Sequence, residues 1–273
     1  MSSTFNPEAM LIISEPIRQT ILRRLDTIES EHSIRILYAV ETGSRAWDFA
    51  SLNSDYDVRF IYANTRDWYL TLKEGHDVLE TPIVDDLDIQ GWDIRKALRL
   101  FAKSNPPLNE WLVSPHIYLE NGIFAPRLRQ LTSEYYSPKS AAYHYLHMAQ
   151  HEYRSDFYKG PEVILKKYLY IVRPLLNILW IRDRQTVPPI SMIEVMNGAE
   201  MPDDAQAAVL SIVEKKRAGL ELGKGSKIPV LDRYLEALFI QAEVFCAGAQ
   251  ARKIGTQALD QLFRDVLNET GRE

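Results

Sequence analysis

The sequence holds a single cysteine, Cys246, among its 273 residues. An internal disulfide and any paired-cysteine metal site are therefore excluded, and a reducing, cytoplasmic setting is the expectation. Charge of one sign is also scarce: 32 Lys and Arg against 37 Asp and Glu leave a net charge of -5 and a pI near 5.8. No global basic field is available to coat nucleic acid, so a nucleic-acid substrate would need a local groove. Long apolar runs are missing. The most apolar stretch, Leu165 to Ile181, carries Lys166, Lys167, Arg173, Pro174 and Asn177. It is too short and interrupted for a membrane span, so a buried helix and no membrane partner are expected. Met1 to Met10 shows no basic segment followed by an apolar core, so no signal peptide is expected.

Two different patterns follow one another along the chain. Ile12 to Ile28 spaces apolar residues as a helix does, at Ile13, Ile17, Ile21 and Leu25. Ser33 to Val40, Asp57 to Ala63, Val78 to Val84 and Asp86 to Ile89 read as strands, with Gly91 breaking the pattern. Asp93 is placed to cap a helix running to about Lys103, which Asn105-Pro106-Pro107 ends. Beyond Pro107 strand signals nearly vanish. Helices are expected over Leu108–Leu112, Pro126–Glu134, Pro138–Phe157, Glu162–Ile181, Asp203–Leu220, Pro229–Phe245 and Thr256–Leu267. The implied class is α+β: a small mixed sheet backed by helices, then a mostly helical domain. The boundaries are drawn at 1–125 for the catalytic domain and 126–273 for the helical one.

Chemistry concentrates in Glu41-Thr-Gly-Ser-Arg-Ala-Trp47, directly after the first strand. A strand ending in Gly43-Ser44 and turning into a short helix presents backbone N–H groups and a hydroxyl to a triphosphate. A side chain at position 43 would keep phosphates from the backbone. Arg45 is placed to add a charged contact. Asp55-Tyr-Asp57-Val-Arg59 opens the next strand, where alternation puts Asp55, Asp57 and Arg59 on one face. Two such carboxylates suit a pair of Mg²⁺ ions roughly 3.5–4 Å apart, with Mn²⁺ able to substitute. Asp88, flanked by Leu87 and Ile89, is the expected third ligand and the group that helps remove a proton from the acceptor. Asp86 shares its parity, and Asp93 is the more distant rival. Gly-Ser alone says nothing and Asp-x-Asp alone says little; it is the conjunction, with ten residues between them, that is specific.

These residues resemble the hallmark of the DNA polymerase β-type nucleotidyltransferase superfamily: hG[GS], then Dh[DE]h, then a distant h[DE]h. Ser54-Asp-Tyr-Asp-Val-Arg-Phe-Ile61, Asp88-Ile-Gln-Gly-Trp-Asp93, Ser104-Asn-Pro106 with Glu110-Trp-Leu112, and Lys167-Tyr-Leu-Tyr170 with Arg173-Pro-Leu175 look further like nucleotidyltransferases of the YcgL type. These are also described as the RNA-repair-pathway polymerase β family, RlaP, and the likeness runs from about residue 33 to 190. It implies Asp55, Asp57 and Asp88 as metal ligands, Gly43 and Ser44 as the phosphate turn, and Lys167 or Arg173 as cations for the triphosphate. The implied reaction moves an NMP from an NTP, ATP among them, to an acceptor hydroxyl, with an RNA 3′ end as the leading acceptor. Nucleotidylation of a protein or small molecule and a non-catalytic nucleotide-binding module are the alternatives. The base, the acceptor and the oligomeric state are left open.

Other features carry less. His144, His147 and His151 share a helical face but match no zinc pattern, so a mixed surface or a base contact is expected before a metal site. Gly223-Lys-Gly-Ser226 lacks the spacing of a phosphate loop and reads as a flexible basic loop. Glu214-Lys-Lys-Arg217 reads as a solvated helix face, and Trp92 and Trp111 as packing residues.

Overall fold

The computed structural model describes residues 13–154, 162–220, 222–248 and 255–271. The expected positions 12 and 155–157 at helix ends, and the breaker at 159–161, lie outside the described residues. The chain falls into two compact units. One comprises the described residues of Ile12–Ala46, Ser54–Tyr136 and Lys253–Glu273, and the other those of Trp47–Asn53 and Ser137–Arg252.

The first unit is built on five strands: β1 (Arg35–Glu41), β2 (Tyr56–Ala63), β3 (Val78–Glu80), β4 (Leu87–Asp93) and β5 (Ile117–Glu120). Their order is β3-β4-β2-β1-β5, with β2 and β4 parallel and the other neighbours antiparallel. Helices α1 (Glu15–Glu31), α2 (Gly43–Ala46), α3 (Arg66–Tyr69), α4 (Ile94–Ala102), α5 (Pro106–Leu112) and α6 (Phe124–Tyr135) accompany them. Period-two alternation sorts β2 onto both faces. Val58, Phe60 and Tyr62 pack with Ile21, Leu25 and Ile28 of α1, while Ile61 and Ala63 pack with α4, α5 and α6. The mixed sheet backed by helices is thus as the sequence led us to expect.

Three local differences have physical reasons. Gly91 does not break β4, which runs on to Asp93; a Cβ at Gly91 would lie 2.2 Å from Cε2 of Phe60, so its bareness seats that ring. The strand β5 was missed, being only four residues long yet paired to β1. The helix after Asn105 starts at Pro106, with the Asn105 side chain accepting from the Leu108 N–H, so the prolines begin an element rather than only ending one. Asp93 caps α4 as expected, its carboxylate accepting from the Arg95 N–H at 2.8 Å.

The last helix, α12 (Gln257–Thr270), also belongs to this unit. Its Leu259, Leu262 and Val266 are buried in one core with Leu98 and Phe101 of α4 and with Phe124, Leu128 and Tyr135 of α6. The structure therefore groups the chain differently from a division at residues 125 and 126. Burial decides it: α6 and α12 have their apolar stripes on the sheet unit's core.

The second unit contains α7 (Pro138–Glu152), α8 (Lys167–Arg184), α9 (Met192–Gly198), α10 (Asp203–Arg217) and α11 (Pro229–Gly248). Between them lies a two-stranded ribbon, β6 (Glu162–Ile164) with β7 (Lys224–Ser226). The ribbon corrects two expectations, since Glu162–Ile164 is not the start of a helix and Lys224–Ser226 is not a flexible loop. Val163, 1% exposed, pairs with Gly225, whose Cβ would already touch Leu165. The apolar stretch is the buried helix expected, α8, with Leu169, Val172, Leu176 and Ile178 wholly enclosed. Among the described residues no helix is long and apolar enough to cross a membrane.

Candidate active site

Every carboxylate of the sequence motif stands on the sheet unit. Because β2 and β4 run parallel, Asp57 lies directly across from Asp88 in the strand register. Asp55 is exposed and immediately precedes β2. A tight turn precedes β4. There Asp85 and Asp86 both hold positive φ, +54° and +59°, in a two-residue hairpin closed by Val84 and Leu87. Asp86 is exposed in that turn and gives its carbonyl to the Tyr56 N–H at 2.8 Å. Asp93 is 1% exposed and saturated, accepting from Tyr69 Oη at 2.7 Å and Asn64 Nδ2 at 2.9 Å besides its capping bond. Burial pushes the Asp93 carboxyl up from its ordinary range, against the hydrogen bonds from Tyr69, Arg95 and Asn64. Of the three rivals, only Asp88 is brought beside Asp57.

Between those two carboxylates lies a cation from the same strand. Arg59 Nη2 sits 2.7 Å from Asp88 Oδ2 and 3.5 Å from Asp57 Oδ1. Its Nη1 donates to the carbonyls of Asp88 at 2.8 Å and Val58 at 3.0 Å. Gln90 Nε2 donates to the other oxygen of Asp88 at 3.1 Å. Among the described residues no group of three or more His, Cys, Asp or Glu stands arranged to hold an ion. Asp57 and Asp88, in register, share a positive partner in Arg59, and Asp55 stands just before the strand; carboxylate oxygens are the donor chemistry a hard divalent cation takes.

The Gly-Ser turn meets this pair at contact distance. Gly43 has φ +60°, and a Cβ built there would lie 2.0 Å from Asp57 Oδ2. Glycine is thus required twice over, by the backbone conformation and by the neighbouring carboxylate. Thr42 anchors the turn, with its N–H and hydroxyl both donating to the Asp57 carbonyl, at 2.9 and 3.0 Å. Ser44 is buried.

Arg45 departs from the phosphate contact expected of it. It is 4% exposed, lies flat over the Tyr56 ring at 3.8 Å, and donates to the Ser54 and Asp55 carbonyls at 2.6 and 3.3 Å. It ties the loop leading into β2 and so positions Asp55. Lys167 and Arg173 belong to the helical unit. Lys167 Nζ is 3.8 Å from Glu152 Oε2, and Arg173, 3% exposed, donates to the Ile190 carbonyl at 3.0 Å. Arg217, read as a solvated charge, instead holds the Asp48 carbonyl through Nε at 2.9 Å. Trp92 and Trp111 stack at 4.1 Å, a packing role as expected.

Sequence reasoning missed Glu41. It is fully buried, with Oε1 accepting from the Asp57 N–H at 2.9 Å and Oε2 from Tyr118 Oη at 2.5 Å. Burial raises its carboxyl to about 7, opposed by the Tyr118 and Asp57 hydrogen bonds. The available signal was an acid ending an apolar strand immediately before Gly-Ser, where a solvated strand end would have been the ordinary explanation.

This chain matches the model of RlaP, the RNA repair pathway DNA polymerase beta family, over residues 17–265, and it belongs to that family. Membership places it among polymerase β-like nucleotidyltransferases. A relative in Bacillus subtilis (strain 168), the uncharacterized protein YcgL, is 44% identical over 258 residues, covering 94% of this chain and 99% of its own. A nucleotidyltransferase-like protein from Exiguobacterium sibiricum 255-15, solved as a crystal structure, aligns over 89% of this chain and 78% of its own. Its identity is 12% and its TM-score 0.27.

Proposed function

We infer that this protein is a Mg²⁺-dependent nucleotidyltransferase that moves an NMP from an NTP to an acceptor hydroxyl, with an RNA 3′ end as the acceptor class. The observation that carries this reading is the in-register pair Asp57 and Asp88 with Gly43 pressed against Asp57. Asp55, Asp57 and Asp88 would hold two ions, Mg²⁺ or Mn²⁺. Such ions supply charge neutralisation on the triphosphate and on the attacking oxygen. The bare Gly43-Ser44 turn lets the β- and γ-phosphates approach its backbone N–H groups. Arg59, whose guanidinium lies beside Asp57 and Asp88, would pair with phosphate oxygens of the bound nucleotide. Asp88 receives the proton of the acceptor hydroxyl as the new P–O bond forms and pyrophosphate leaves.

The test is incubation of the pure protein with each α-labelled NTP, Mg²⁺ or Mn²⁺, and RNA ending in a 3′-hydroxyl. Label should enter RNA, and should fail to enter it with the Asp55→Ala/Asp57→Ala double variant. Label entering RNA through that double variant would refute the mechanism. Label on a protein or small molecule in place of RNA would move the acceptor while keeping the site.

A further inference from the structure

A concave site is lined by described residues of the helical unit. A cavity of about 280 Å³ is lined by Trp47, Met148, Leu169, Tyr170 and Pro174, with the polar side chains of His151, Glu152 and Arg173 also on its wall. Two aromatic rings meet there nearly edge to face, Trp47 and Tyr170 at 6.1 Å and 72°, with Phe49 packed against both. We propose that this cavity binds a nucleobase.

The lining restricts the choice of ligand. The volume is below the roughly 300–1,000 Å³ of sites that take drug-sized molecules, and suits a single flat ring system. Aromatic, thioether and proline walls favour a planar π-face over a flexible chain. An organic cation is disfavoured, because the chain already places its own cations on these rings. Arg173 Cζ lies 4.5 Å over Trp47, and Lys216 Nζ lies 4.5 Å over Phe49 and 5.8 Å over Tyr170. His151, Glu152 and Arg173 put polar atoms on the wall, which a purely aliphatic ligand does not match. A base edge, which presents donors and acceptors side by side, would use them: a carboxylate accepts from an exocyclic amine or ring N–H, and a guanidinium donates to a ring oxygen or nitrogen. Lys167 Nζ, 3.8 Å from Glu152 Oε2, orients that carboxylate.

That the planar ring is a nucleobase rests on the nucleotidyl-transfer reading; the shape and lining of the cavity do not. Saturation-transfer NMR on guanosine, adenosine and cytidine, each with the full-length protein in EDTA, separates the two. Nucleosides carry no phosphate and the chelator removes metal, so the carboxylate site contributes nothing. The expected result is saturation of base protons above ribose protons. It should weaken about 10-fold or more in Tyr170→Ala and in Met148→Trp, whose indole fills the cavity. Met148 is 38% exposed, so the larger side chain has room to enter without displacing the core, and circular dichroism checks that both variants fold. No base signal in the wild type, or signals unchanged in both folded variants, would overturn the proposal while leaving the transfer reaction untouched. Conversely, base binding in a protein that transfers no label would sustain this site and remove the transferase reading.

Discussion

Arg59 and Asp88 are joined by an ion pair of 2.7 Å, and the same guanidinium nitrogen stands 3.5 Å from Asp57. One side chain thus serves as counter-ion to two carboxylates that share a face. Removing it leaves those like charges opposed across neighbouring strands with only partial solvent access.

Arg59→Gln is therefore expected to lower stability by about 1–3 kcal/mol in EDTA. In Mn²⁺ the loss should shrink, because the ion takes over the neutralising role. Thermal melts of both proteins with and without metal measure this. Equal melts in EDTA, or an equal metal-induced shift in both proteins, would show that the guanidinium does not hold the pair.

Gly43→Ala combines a strained backbone at φ +60° with a Cβ 2.0 Å from Asp57 Oδ2. The backbone part costs about 1–2 kcal/mol. The displaced Asp57 should reduce nucleotidyl transfer by more than about 100-fold, since a misplaced group costs that much even at small displacements. Denaturant titration and turnover, measured on one preparation, resolve the two effects. A variant that keeps full turnover would show that this contact is not part of the site.

Asp88 and Asp93 should respond in opposite ways. Asp88→Asn keeps a polar side chain at a partly exposed position, so stability should change by less than about 1 kcal/mol while transfer is lost. Asp93→Ala removes a helix cap and leaves Tyr69 and Asn64 without their acceptor, for a loss of about 2–4 kcal/mol. Urea midpoints for the two variants provide the comparison, and a stable Asp93→Ala protein would contradict the structural role assigned to that carboxylate.

Cys246 is 1% exposed, and burial pushes its thiol up from the ordinary range. Reaction needs the thiolate, so raising the pH toward 8 should not make the folded protein react as a free thiol does. A chromogenic disulfide reagent should titrate the thiol only after unfolding by guanidinium. Rapid reaction in the native state at neutral pH would show that α11 opens far more readily than its packing implies.

Much of the site could be read from the chain because strand alternation is a strong rule. Asp55, Asp57 and Arg59 needed only a correct strand, and Asp88 needed only to follow a turn. Asp86 and Asp88 share a parity, so alternation could not separate them; the structure places Asp85 and Asp86 at positive φ in a turn, a conformation that Asp tolerates and local sequence does not announce. Arg45 and Glu41 were harder for a common reason. Their roles come from partners distant in sequence or from burial at strand ends, as with Glu41 and Tyr118, 77 residues apart. The β6–β7 ribbon was illegible for the same reason, because three residues paired with three others carry no period of their own.

The burial of Leu259, Leu262 and Val266 beside Phe101 and Tyr135 has a consequence for biosynthesis. During translation the sheet that bears Asp57 and Asp88 emerges early, but the apolar surface of α4 and α6 that meets α12 stays uncovered until α12 has left the ribosome. The nascent chain must hold that greasy surface away from its neighbours while well over a hundred further residues are added, an interval in which aggregation competes with folding. A stop between β4 and α12 would release a chain that carries Asp55, Asp57 and Asp88 and lacks Leu259, Leu262 and Val266 of this core.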